Sequence, residues 1–500
     1  MTFISREFAF FFVCFFACYW IAAHEWRKRL LLFGSYLFYG MWNWRFLFVL
    51  FFSAAFNFAL GNQIYHSSKS KNKRFYLWCA IAGNLTVLIY FKYANFFLLN
   101  FQNLLHFFGF PTAISMLHLM VPVGISFYTL QAMTYPLDIY RGQLIPSTRF
   151  SDFATFVAFF PQVTSGPIER ARNLLPQFSV PVKFYWSRVT GGFKLIAWGL
   201  FKKIAVADQL ALLVDSVYQS PQENHGIVLM AATIFFAFQL YCDFSGYSDM
   251  AVGIARLMGF NIMRNFNYPF SASSVAEFWR RWHISFTSWV TDYLYTPIAI
   301  SLRYWNQFAV LLSLFITFLL VGLWHGAQWK FVIFGALHGL ALSAEVLTRN
   351  ARKKLSAYLP NKICGFFGTI YTFVFFSATL IFFRAASVEQ ALYILTHSCS
   401  GFANVFLNLF GKNIIGQNVL SGHPLWEFAS MTFLIGLLEA IQWFQRHFNV
   451  TKWFSSEPLW LRWLTYYLPL GSISLLGILL WGVVLLLGIS EKSSFIYFKF

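Results

Sequence analysis

Charge is what this sequence lacks most. Only 11% of its 500 residues are Asp, Glu, Lys or Arg, where soluble chains carry roughly 25%. Hydrophobic residues make up 58%. A soluble enzyme, or a soluble core with a single anchor, is excluded, because apolar runs recur from residues 8–23 to residues 466–487. Acidic residues are scarcer still, 18 against 37 Lys and Arg, leaving a net charge of +19. That excess does not mark a nucleic-acid binder, because it is gathered into short loops. These hold Arg27, Lys28 and Arg29, then Lys69, Lys71, Lys73 and Arg74, then Arg349, Arg352, Lys353 and Lys354. Basic loops of this kind face the cytoplasm. The six cysteines (Cys14, Cys18, Cys79, Cys242, Cys364 and Cys399) lie mostly within apolar runs and form neither a metal-type pairing nor a disulfide framework. No P-loop, dinucleotide fingerprint or His-Glu-x-x-His is present, so ATP-driven transport, cofactor redox chemistry and zinc hydrolysis lose their usual signatures.

What is present is aromatic and helical in pattern. The Phe, Trp and Tyr content of 22% suits lipid contact and interfacial belts. The expected fold class is an all-α polytopic membrane protein, one domain over residues 1–500. Expected spans include residues 8–23, read as retained because no basic leader precedes them, and residues 30–40 and 46–60, broken at Trp42-Asn43-Trp44. Residues 75–99 span next and carry Asn84 and Lys92, a lysine able to snorkel to the surface. Later spans are 226–253, 304–329, 366–383, 425–443 and 466–487, with Lys202 and Lys203 at an inner edge and the polar stretch 385–424 outside.

The middle third is irregular. Pro122 and Gly124 open one segment, and residues 159–170 are broken by Pro161, Gly166 and Pro167. At membrane depth such backbone survives only where it is buried in protein or lines a cavity, so a cavity is expected.

Several residues stand out as candidates. A run of about 26 residues without Asp, Glu, Lys or Arg, longer than the ~20 a span needs, closes on Trp324-His325-Gly326. A titratable group there is a functional-site hypothesis, set against an interfacial histidine beside belt tryptophans. Asp243 and Asp249 flank a glycine at the end of another apolar run, suited to acid–base work or to loop bonding and pairing with Arg264, Arg280 and Arg281. Residues 277–295 read as one amphipathic interfacial helix, with Phe278, Trp282, Phe286, Trp289 and Tyr293 on one side. His283 shares its wet side with Arg280 and threonines, as a solvated histidine or as the lining of an entrance. His338, between Gly335 and Gly339, is expected to be packed and hydrogen-bonded.

The motifs run in a fixed order. Ser35-Tyr36-Leu37-Phe38-Tyr39, Tyr90-Phe91-Lys92-Tyr93 and Gly124-Ile125-Ser126-Phe127-Tyr128 come first. Phe160-Pro161-Gln162, Gly166-Pro167-Ile168, Gly199-Leu200-Phe201-Lys202-Lys203 and Asp243-Phe244-Ser245-Gly246-Tyr247-Ser248-Asp249 follow. Phe278-Trp279-Arg280-Arg281-Trp282-His283-Ile284-Ser285, Leu323-Trp324-His325-Gly326, Phe382-Phe383-Arg384-Ala385 and Phe495-Ile496-Tyr497-Phe498 complete the set. Each is weak alone. Together they resemble the membrane-bound O-acyltransferase (MBOAT) superfamily, in its bacterial branch of alginate and peptidoglycan O-acetylation proteins and the D-alanyl transfer protein of teichoic acids.

The resemblance implies a ring of about 11–13 transmembrane or re-entrant helices around a central tunnel or funnel, with a core near residues 121–385 and C-terminal helices near 425–490. It places the catalytic histidine at His325 and a second functional histidine at His283. It implies acetyl-CoA or an acyl-carrier thioester as donor, with no bound cofactor and no metal. Arg280 and Arg281 would attract donor phosphates, and Trp324, Asp243 and Asp249 are further candidate substrate contacts. The acceptor is expected to be an extracytoplasmic polysaccharide such as peptidoglycan or alginate. It would be reached from the bacterial inner membrane through a periplasmic SGNH-type acetyltransferase or esterase, or a small membrane partner. His325 is the expected base, its apolar surroundings keeping a neutral ring, with His283 positioning, relaying a proton or binding the thioester carbonyl. D-alanyl transfer to teichoic acid, and a transporter or flippase that makes no bond, are the competing functions.

Overall fold

The computed structural model describes residues 1–110, 113–224, 226–400 and 420–447. Every regular element among them is helical, and seven stretches are long and apolar enough to cross a bilayer. These are His24–His66, Ser70–Phe107, Gly226–Leu257, Arg303–His325, Trp329–Leu347, Asn361–Arg384 and Leu425–His447. The chain is an all-α, multi-pass membrane protein. The expected span at 466–487 and the motif Phe495-Ile496-Tyr497-Phe498 lie outside the described residues.

The first helix, α1 (Arg6–Ile21), has 16 residues, about 24 Å at 1.5 Å per residue. It is therefore shorter than a full crossing of a ~30 Å hydrocarbon layer. α2 (His24–Asn43) and α3 (Leu47–His66) are separated where the tryptophans suggested, by extended backbone at Asn43 and a single 3-10 turn. α4 (Ser70–Leu88) is tied to α3 by a reciprocal amide pair. Asn57 donates to Asn84 at 3.1 Å and Asn84 donates back at 2.8 Å, a polar joint sealed from lipid. A π-helical turn, Ile89–Tyr93, leads into α5 (Ala94–Phe107).

Three helices, α6 (Ile125–Tyr140), α7 (Phe150–Ala158) and α8 (Ala171–Ser179), surround the irregular stretch at 159–170. Its buried backbone polar groups must find partners, and side chains supply them. Phe160 N–H donates to Ser35 Oγ (3.2 Å), Ile168 N–H to Ser285 Oγ (2.9 Å) and Ala171 N–H to Thr134 Oγ1 (3.1 Å). The other broken segment packs on it. Gly124 has φ +76°, and a Cβ there would stand 2.9 Å from the Thr164 Cα, so only glycine fits both the backbone and the space.

Behind this lies α9 (Trp186–Leu200), which continues through a π-helical stretch, Phe201–Ala207, into α10 (Asp208–Gln219) and packs on α11 (Gly226–Leu257). Glycines seven apart on each helix bring main chain onto main chain. A Cβ on Gly199 would lie 2.5 Å from the Gly246 carbonyl, and one on Gly253 2.7 Å from the Gly192 carbonyl. The segment holding Asp243 and Asp249, expected as the end of an apolar run, is instead the middle of this 32-residue helix.

Next come α12 (Val275–Arg281), α13 (Ile284–Val290) and α14 (Thr296–Ser301). They precede the hairpin of α15 (Asn306–His325) and α16 (Trp329–Leu347). Gly322 and Gly335 lie face to face across that hairpin, a Cβ on Gly322 falling 3.0 Å from the Gly335 Cα. One turn beyond each glycine stands a histidine, His325 and His338. α17 (Arg349–Tyr358), α18 (Asn361–Arg384), α19 (Val388–His397) and the helix Leu425–His447 complete the described chain.

Candidate active site

The expected continuous helix at 277–295 is broken at its centre. α12 stops at Arg281, Trp282 is extended, and His283 takes φ 44° and ψ 52° before α13 begins. A non-glycine residue in the left-handed region costs on the order of 1–3 kcal/mol and persists only where its surroundings enforce it. Here a strand-like segment does so. Asn267 N–H donates to Arg281 O (3.0 Å), Ile284 N–H to Asn265 O (2.9 Å) and Ser285 N–H to Asn265 Oδ1 (3.2 Å). Periodicity missed this because no Gly or Pro marks the break. The wet face expected for His283 is absent too: the residue is 1% exposed.

His283 points into an aromatic box. Its ring lies 4.6 Å from Phe244, edge-on, 5.0 Å from Phe286, stacked, and 6.1 Å from both Phe127 and Trp324. Neither ring nitrogen has a hydrogen-bond partner among the described residues, and neither has Trp324 Nε1. Burial, and secondarily the charge of His325, hold the His283 imidazole well below its ordinary 6.5.

His325, the last residue of α15, shares two of those rings. It sits 5.1 Å from Trp324 and 6.1 Å from Phe286, with Phe383 edge-on at 5.2 Å. It borders a narrow cleft of about 90 Å³ that is also lined by Lys92, Gly124, Ser126, Thr164 and Trp324. The two segments read from sequence as cavity-forming thus meet at this cleft. Lys92 does not snorkel outward as expected. Its ammonium turns inward to the carbonyls of Trp324 (2.8 Å) and His325 (3.1 Å).

On the other side of Phe286 lies a larger cavity of about 470 Å³, within the range typical of small-molecule sites. Its apolar throat includes Trp279, Val290, Leu314, Phe318 and Val321, and Arg280, Arg349 and Arg352 stand at its edge. The stacked pair Phe286–Trp324, 4.2 Å between centroids, separates the two cavities. Arg349 and Arg352 entered the sequence reading only as a basic loop, and nothing in their spacing tied them to Arg280.

The remaining candidates are engaged elsewhere. Arg281 is held by Glu277 (2.6 Å) and Ser271. Asp243 pairs with Lys203 (2.6 Å), which also binds Asp208, and Asp249 pairs with Lys202 (2.6 Å). The acids therefore meet two lysines rather than the arginines, and both lysines are buried. Neither carboxylate lines either cavity. His338 is packed and hydrogen-bonded as expected: Trp279 Nε1–H donates to its Nδ1 (3.1 Å), and its Nε2 meets Thr379 Oγ1 (3.1 Å).

The site thus places two buried histidines beside the aromatic pair that separates two cavities, inside a bundle of spanning helices. Residues 143–387 match the membrane-bound O-acyltransferase family. The probable alginate O-acetylase AlgI of Pseudomonas aeruginosa is 35% identical over 393 residues, covering 78% of this chain and 73% of the relative. The peptidoglycan O-acetyltransferase of Helicobacter pylori is 33% identical over 444 residues, 82% of each chain. The teichoic acid D-alanyltransferase of Bacillus subtilis is 27% identical over 262 residues, 51% of this chain and 66% of the relative. The chain belongs to the membrane-bound O-acyltransferase family. It is accordingly an O-acyltransferase.

Proposed function

We propose that this protein moves an acetyl group from a cytosolic acetyl thioester, acetyl-CoA or an acyl-carrier thioester, toward an extracytoplasmic polysaccharide, from the bacterial inner membrane. The observation that carries the reading is the partition itself. A strained histidine without hydrogen-bond partners among the described residues packs against Phe286, which lines the large cavity, and near Trp324, which lines the His325 cleft. Arg349, the first residue of the basic segment expected to face the cytoplasm, stands at the far end of α16 from His325. That 19-residue helix is about 28 Å long, so Arg349 and the His325 cleft lie at opposite ends of the α15–α16 hairpin, and the donor and the acceptor would approach from opposite sides. Donor phosphates would rest against Arg280, Arg349 and Arg352, with the acyl end at Phe286.

In this mechanism His325 takes the proton from the acceptor hydroxyl as the oxygen attacks the thioester carbonyl. The C–S bond then breaks, and the proton passes to the departing thiolate. His283, neutral because it is buried, donates to the carbonyl oxygen as negative charge develops. Acetyl is favoured over D-alanyl because the O-acetylating relatives are 33–38% identical over 69–82% of this chain, against 27–28% over 44–51% for the D-alanyltransferases. The final transfer to polymer is assigned to a periplasmic SGNH-type or small membrane partner.

The test uses purified protein, labelled acetyl-CoA and candidate partners. Label on a polysaccharide or partner hydroxyl supports the reading. A His325→Ala variant that is folded, inserted and still transfers acetyl at near wild-type rate overturns it. Substrate movement without bond formation would favour a transporter, and acceptance of D-alanyl but not acetyl thioester would favour D-alanylation.

A further inference from the structure

The C-terminal end of α15 is capped by another span. The last four carbonyls of any α-helix have no intrahelical partner, and here Gly326 follows in an extended conformation that closes none of them. Two consecutive residues of the π-helical turn Ile89–Tyr93 meet that need. Lys92 Nζ donates to Trp324 O (2.8 Å) and His325 O (3.1 Å), and Tyr93 Oη donates to Leu323 O (3.0 Å). Side chains next to each other on a regular α-helix diverge by about 100°. The wider π turn lets both reach one helix end, and such turns occur often at functional sites.

The cap is charged, and the charge faces the chemistry. Lys92 has no carboxylate partner among the described residues, and its ammonium lies on the wall of the cleft beside His325, 3.5 Å from Ser126 Oγ. A cation is favoured at a helix C-terminus by the dipole, which accounts for its lying inside the bundle with no acid. The placement also fixes the backbone that carries the His325 ring. A shift of about 1 Å in such a group costs on the order of 100-fold in rate.

We infer that Lys92, with Tyr93, is the positioning clamp for His325, acting through the main-chain carbonyls of Trp324 and His325 rather than on substrate. The inference rests on His325 being the base, and the test separates the two. Full-length protein in detergent or nanodiscs is assayed for transfer from acetyl-CoA as Lys92→Met, Lys92→Arg, Tyr93→Phe and His325→Ala. Lys92→Met is expected to lower kcat about 100-fold with KM for the thioester within about threefold. Lys92→Arg, which keeps a cationic multiple donor, should recover at least a tenth of wild-type kcat. Tyr93→Phe, which removes one hydroxyl, should lower kcat about fivefold and keeps the question answerable if Lys92→Met fails to insert. Full activity in Lys92→Met or Tyr93→Phe while His325→Ala is dead overturns the clamp and leaves the base in place. Equal loss in the Met and Arg variants, or a loss confined to KM, also overturns it. Activity in His325→Ala removes the base and the clamp together.

Discussion

His338 and His283 are equally sealed from solvent, at 0% and 1% exposure, yet their surroundings are opposite. His338 receives a hydrogen from Trp279 and meets Thr379, whose hydroxyl donates onward to the Phe376 carbonyl at 2.8 Å. Its tautomer is thereby fixed, with hydrogen on Nε2. His283 has aromatic faces on several sides, an unpartnered nitrogen at each edge and a strained backbone beneath it. Buried polar groups are nearly always paired, so the first arrangement is that of a structural residue. The second leaves both imidazole nitrogens open, as the proposed role of His283 requires. Burial alone separates nothing; satisfaction does.

The comparison breaks first on activity. His283→Asn keeps a residue that tolerates the left-handed backbone but loses the imidazole. It should cut kcat for acyl transfer about 100-fold with the melting temperature unchanged or raised. His338→Ala should do the reverse, leaving the Trp279 and Thr379 hydrogen-bonding groups unpaired at a cost of ~1–3 kcal/mol each. Melting of the solubilised protein should drop by several degrees while kcat per folded molecule stays within about threefold. If both variants lose activity and keep stability, the distinction between them is wrong.

Smaller effects sharpen it. Arg349→Ala with Arg352→Ala should raise KM for the thioester about tenfold with kcat nearly unchanged, and added salt should shrink the difference. The pH dependence of stability is signed by burial. Because the His283 imidazole is held below 6.5, the folded protein declines a proton that the unfolded chain accepts. Stability is then full above 6.5 and falls as pH drops, and His283→Asn should flatten that acid limb. Glu169 runs the other way. Burial lifts its carboxyl from 4.5 to about 7, so the folded state keeps a proton that the unfolded chain releases. Stability contributed by this group is greatest below 4.5 and is lost as pH rises to about 7. Glu169→Gln should therefore raise the melting temperature by about 2 °C at pH 8 and leave it unchanged at pH 4.

Much of the frame was legible in the sequence because lipid enforces it. Apolar runs, the tryptophan break before α3 and the buried role of His338 follow from hydropathy and small-residue spacing. So did a cavity beside the proline- and glycine-broken segments, since backbone that cannot bond itself must line something. What was not legible depends on partners distant in the chain. Lys92 and Lys202 carry the same local signature as any lysine near a span end, and only the fold turns one toward a helix terminus and the other toward Asp249. The break at His283 is enforced by Asn265 and Asn267 across a turn, which a 100° wheel cannot register. The catalytic assignments themselves came from family resemblance rather than from composition.

The two glycine seams have a mechanical consequence. Where main chain lies on main chain, a helix pair cannot slide without driving carbonyls into Cα atoms, so α9–α11 and α15–α16 each behave as a rigid beam. Under the proposed mechanism, passage of an acyl group past Phe286 and Trp324 would require movement of the lighter partner. That partner is α13, seven residues long, hinged at His283 and followed by the π-helical stretch Thr291–Tyr295. The expected signature is hydrogen exchange that is rapid across residues 283–291 and slow across 246–253 and 318–335. Uniform exchange over all three would mean that the beams bend as well.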